Sequence, residues 1–212
     1  MLKKFLIPII LILFIVSCEK SSKKKIDSSL PKPTLSLSSG DYVMDNDNSS
    51  IKWTGRELST KSHYGSLQMK NGSLTVNTDG TINGIIKIDM TTIDCEDLQG
   101  RSKASLERHL RSDDFFSVES HPIATLTFKS EGGIGAGNKL AFNGDLEIKG
   151  ISHPISFESE LKSVDPKVNA LVDMTFDRSK YNVRFRSGTF FQNLGDKLIY
   201  DDIEISVDIR TL

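Results

Sequence analysis

Four histidines, two cysteines and a few clustered carboxylates are the side chains here whose types could do chemistry. His63, His109, His121 and His153 form no pair at metal-ligand spacing, and no second cysteine lies near Cys95, so no zinc-type centre is indicated. Asp45-Asn46-Asp47-Asn48-Ser49 opens like a calcium loop. Ser50 stands where that loop needs glycine and Arg56 where it needs glutamate, so the run reads as a polar turn. Gly132, Gly133, Gly135 and Gly137 resemble a phosphate cradle in composition only. They lack the dinucleotide spacing and join strand to strand, without opening a helix. There is no Gly-x-Ser-x-Gly elbow, and no carboxylate pair that spacing alone would bring together. The expectation is a protein that is not an enzyme, with no metal and no cofactor.

The elements explain what else the chain offers. Between Asp97 and Ser130 the pattern changes from strand to helix and back. Ala104, Leu106 and Leu110 fall near one side of a helical wheel over 102–110, with Lys103, Glu107, Arg108 and Arg111 elsewhere. Ser112-Asp113-Asp114 supplies turn and capping chemistry, Phe115-Phe116 places two rings in the connection, and His121-Pro122 turns the chain into the next strand. This reads as a short helical lid.

Elsewhere past Gly40, apolar residues alternate with polar ones at the strand period. The expected inward faces carry Trp53; Ile86 and Ile88; Leu126 and Phe128; Phe142 and Leu146; Ile155 and Phe157; Val172, Met174 and Phe176; and Ile203, Ile205 and Val207. Asn71-Gly72 and Asp79-Gly80 both read as hairpin turns, and Asn143-Gly144 as a bulge. Arg178 to Gly195 is a long aromatic and basic loop. The fold class expected is all-β, an antiparallel barrel of about eight strands with the helical lid inserted. Such a barrel is just wide enough to fill itself or to hold one ligand, and periodicity leaves both open.

The 212 residues carry a formal net charge of −1, which argues against a nucleic-acid partner. Lys3 and Lys4 precede an apolar run, Phe5 to Val16, that is shorter than the ~20 residues of a membrane span and ends at Ser17-Cys18. The segment resembles a bacterial lipoprotein signal. It implies a signal peptide over 1–17 and acylation of Cys18, palmitate included. Without Lys3 and Lys4, 25 basic residues face 28 acidic ones. Residues 18–40, rich in Ser and Lys with Pro31 and Pro33, read as a flexible tether to the domain at 41–212. The expected location is the cell envelope, membrane-anchored and facing the periplasm, with the leaflet open. Cys95 reads as a small buried thiol. The oligomeric state is open.

From about Asp41 onward the chain resembles the YceI-like family of bacterial envelope proteins. The pieces that carry the resemblance are Trp53-Thr54-Gly55 with His63-Tyr64-Gly65, the run from Ile88 to Ile93, LERHLRSDDFF followed by HPIATLTFKS, NGDLEIKGISHPISF, and FDRSKYNVRF. The resemblance implies a lipocalin-like barrel whose apolar channel binds polyisoprenoid or similar amphiphilic lipids, quinone-like ones among them. It implies a carrier or buffer without enzymatic activity, and makes the inward faces above the ligand wall. His63, Phe115, Phe116 and Arg178 would then stand at the mouth or lid, with His63 and Arg178 open to a polar head group. The alternative is a structural or interaction lipoprotein whose barrel is filled by its own side chains.

Overall fold

Residues 37–133, 138–164 and 167–212 are described by a computed structural model. The signal segment, Cys18, most of the tether, and Gly135 and Gly137 lie outside these residues. The described strands are β1 (Gly40–Val43), β2 (Ser50–Arg56), β3 (Ser62–Val76), β4 (Ile82–Cys95), β5 (Ile123–Ser130), β6 (Lys139–Ile148), β7 (Ile151–Val164), β8 (Lys167–Asp177) and β9 (Asp202–Arg210). One helix, α1 (Gly100–Arg111), joins β4 to β5.

All pairings between strands are antiparallel, and β3 closes the ring by pairing with both β2 and β4. The result is a closed eight-stranded barrel, with β1 added on the half of β3 that β2 does not reach. Asp79-Gly80 makes the expected turn between β3 and β4: the Asp79 carboxylate accepts from the Thr81 amide at 2.9 Å, and Gly80 takes φ 80°.

Asn71-Gly72 is not a turn. It lies inside the 15 residues of β3, where the register with β4 slips between Met69 and Asn71. The slip changes parity, so Leu67 and Met69 face inward before it and Leu74 and Val76 after it. A second bulge interrupts β4 at Thr91-Thr92. Asp89 accepts from the Thr91 amide at 3.0 Å, and Thr92 Oγ1 accepts from the Gln68 amide at 2.9 Å. These bonds satisfy the broken ladder and turn Ile93 inward after Met90. Asn143-Gly144 holds continuous register with both neighbours and is not a bulge. The glycine is needed because a β-carbon there would collide with the Thr127 carbonyl on β5.

One ladder is incomplete. β7 pairs with β8 only from Ser159↔Val172 to Val164↔Lys167, and the remaining residues of both strands splay apart toward the α1 end. Lys149 and Gly150, at φ 54° and 70°, make the two-residue turn between β6 and β7. Its geometry directs the backbone groups of Ser152, Pro154, Ser156 and Glu158 toward β8. Pro154 is tolerated because its strand is an edge at that point. Tyr181 fills the gap, packing edge-on to Phe176 and His153.

Candidate ligand-binding cavity

Inward alternation builds a cavity of about 260 Å³ in the half of the barrel nearest α1, with an almost wholly apolar wall. Trp53, Ile86, Ile88, Leu126, Leu146, Met174, Phe176, Ile203, Ile205 and Val207 line it, as their strand parity requires. Phe128, Phe142, Ile155, Phe157 and Val172 do not. Phe128, Phe142 and Phe157 pack against one another beneath the cavity, where buried side chains fill the interior; Ile155 lies on the part of β7 that does not pair with β8, and Val172 is buried where the β7–β8 ladder begins. Met90, Ile93, Leu106, His109, Leu110, Phe185, Arg186 and Ile199 also line the space. Met90 continues the β4 alternation visible in the sequence, while Ile93 arrives only through the bulge.

The lid is held by a polar stripe. Lys103 pairs with Asp94 at 2.7 Å, Glu107 accepts from the Cys95 amide at 3.0 Å, and Arg111 donates to the Ile93 carbonyl. This stripe fixes α1 to the end of β4 and swings Leu106, His109 and Leu110 over the cavity. Ala104, read from the helical wheel as part of the apolar side, is exposed. Phe115 is buried in an aromatic cluster with His109 and Phe185, at ring distances of 4.9 and 5.5 Å. Phe116 is half-buried, and both rings, Phe115 and Phe116, line the cavity.

Arg178 borders the cavity, but its guanidinium is engaged in the protein and not open to a head group. Its side chain is fully buried and donates to the carbonyls of Tyr200, Val183 and Ile199 at 3.0–3.1 Å, with Asp201 at 3.2 Å. Burial lowers its pKa, against the pull of Asp201 and Asp177. It acts as a clamp on the loop that follows β8. The rim is instead set by Arg56, Glu57, His63 and Arg186. His63 Nδ1 lies 2.8 Å from Asp97, which also accepts from the Tyr64 amide at 3.0 Å and from Cys95 Sγ at 3.2 Å. Burial pushes the Asp97 carboxyl upward, but the bonds from His63, Tyr64 and Cys95 outweigh it and hold the pKa below the usual carboxylate range. Cys95 is buried as expected. Burial first, and Asp97 second, push its thiol up, the opposite of what a thiolate nucleophile requires. Trp53 Nε1 is buried and meets no acceptor among the described residues.

The family model of the YceI-like domain matches residues 42–211. The chain belongs to the YceI-like family. Among curated relatives of this YceI-like chain, a UPF0312 protein of Staphylococcus epidermidis is 28% identical over 117 residues, covering 52% of this chain and 65% of that protein. The chain thus spans a little under two thirds of the first curated relatives it matches. A UPF0312 protein of Photorhabdus laumondii is 27% identical, over 68% of this chain and 72% of its own length. Two solved structures share the fold. BcnA of Burkholderia cenocepacia has a TM-score of 0.59 at 18% identity, covering 80% of this chain and 99% of its own. A polyisoprenoid binding domain from Saccharophagus degradans, implicated in plant cell wall breakdown, has 0.55 at 12%, covering 80% and 97%.

Proposed function

We propose that this YceI-like protein binds a single-chain amphiphilic lipid of isoprenoid type, as a carrier or buffer tethered to an envelope membrane through Cys18. The observation that carries the reading is the apolar cavity of about 260 Å³ beneath a lid of aromatic side chains. Each methylene moved from water into such a wall contributes ~0.8 kcal/mol, while polar groups are confined to the rim. The polyisoprenoid-binding description of one structural neighbour points to the same ligand class.

The filled half of the barrel favours the second reading, a structural lipoprotein with no ligand. Mass spectrometry of lipids extracted from protein purified from its native host separates the two, together with melts of delipidated and reloaded protein. An isoprenoid amphiphile should co-purify and raise the melting temperature by mass action. An empty extract with an unchanged melt would leave the structural reading.

A further inference from the structure

On β5 and β6 the cavity ends at the cross-strand pair Leu126 and Leu146, and an aromatic stack lies beneath them. Phe142 and Phe157 stack at 5.4 Å with their planes 11° apart. Phe128 stands edge-on to both, at 5.6 and 6.2 Å. Both cross-strand partners of Phe128 are glycines, Gly84 on β4 and Gly144 on β6. A β-carbon at Gly84 would lie 2.6 Å from the tip of the Phe128 ring, so that ring occupies space which only glycine leaves free. Below this level the β7–β8 ladder is complete, and above it the ladder is open. The three rings therefore sit near the top of the fully hydrogen-bonded part of the barrel, with the Phe128 ring held in the space that Gly84 leaves.

We propose that this aromatic stack is a fixed floor that measures ligand length, so that the site takes an amphiphile of about ten carbons, such as two isoprene units with a polar head. The inference rests on the lipid-binding reading above and specifies its ligand. A Leu/Ile/Phe-lined cavity of about 150 Å³ accommodates benzene, roughly 25 Å³ per carbon. On that scale the 260 Å³ present here accepts roughly ten carbons. The head remains at the rim beside His63, Arg56 and Arg186, and the chain ends at Leu126 and Leu146, which the stack backs from below. Longer chains leave their extra carbons in water or fold back among the lid residues, so added length contributes nothing to affinity.

Trp53 is the sole tryptophan and lines the cavity, so its emission reports occupancy directly. Delipidated protein is titrated with primary alcohols of six to sixteen carbons, and with geraniol and geranylgeraniol. The dissociation constant should fall about fourfold per added methylene, equivalent to ~0.8 kcal/mol each, until about ten carbons, and then level off. Phe157→Ala lowers the floor and should move the plateau outward by about four carbons. Leu146→Phe raises it and should move the plateau inward by two or three. The wild-type series and Leu146→Phe decide the matter if Phe157→Ala does not fold. Affinity that keeps climbing to sixteen carbons, or a plateau that neither substitution moves, overturns the floor while leaving lipid binding intact. Failure of every alcohol to bind overturns the lipid-binding reading and the floor with it.

Discussion

Replacing Arg178 by methionine keeps most of its volume but leaves three carbonyls and Asp201 facing a buried apolar group. Breaking a buried charged network in this way costs about 3–5 kcal/mol. For a domain of this size the melting temperature should drop by roughly 10 °C. Arg178→Lys should rescue little, because an ammonium cannot reproduce the planar fork that spans those carbonyls. The basic character of this position is legible in the sequence, but its burial is not. Its acceptors come from residues 183, 199 and 200, brought together only when the loop folds back. Titration at single residues also has a readable consequence. Asp79 is held below the usual carboxylate range chiefly by the Thr81 hydroxyl, and Asp89 chiefly by the Thr91 hydroxyl. Carboxylates depressed in the fold contribute stability that is complete above the unfolded value of ~3.9 and is lost as pH falls through the lower folded value. Denaturant melts should therefore weaken below about pH 4, and Asp89→Asn should flatten that acid limb while lowering stability at pH 7.

At the scale of elements, the two bulges and the lid decide where side chains point. Asp89→Ala removes the bonds that satisfy the β4 bulge, at a cost of about 1 kcal/mol by denaturant melt, and loosens Ile93 from the cavity wall. Within the lid, the two neighbouring rings should behave differently. Phe115→Ala truncates a buried ring and should cost about 3–5 kcal/mol. Phe116→Ala removes a half-buried cavity ring, and should speed ligand exchange in stopped-flow displacement with a smaller change in melting temperature. Equal effects of both on the melt, with no change in exchange, would make the lid simply core. The parity change between Met69 and Leu74 was present in the sequence. Asn-Gly suits a tight turn, but a bulge changes the phase of alternation just as a turn does. Depth within the barrel was not legible. Alternation says that Phe142 and Leu146 both face inward, but only the stagger of β6 against its neighbours puts one in the floor and the other above it.

At the scale of the whole molecule, the order of motifs along the chain carried the family and the barrel, since hairpin-connected alternating strands admit few closures. The proposed attachment to a membrane rests on residues outside the described structure. A Cys18→Ala variant should leave the membrane fraction or accumulate as uncleaved precursor. Processed protein that still sediments with membranes would exclude acylation at that position. The open ladder between β7 and β8 has its own consequence at this scale. A fully laddered barrel has a set circumference, because widening it means breaking backbone hydrogen bonds. Here the closed half keeps that constraint, while the half holding the cavity can change girth at the cost of side-chain contacts around Tyr181 and the hydrogen bond between His153 and the Lys180 carbonyl. The molecule is a rigid cup with an adjustable collar. Amides of Ser156, Glu158 and Thr175 should therefore exchange with deuterium far faster than those of Glu160 and Leu171 on the same two strands. Such a collar would let the mouth widen around a branched chain without unzipping the vessel below it.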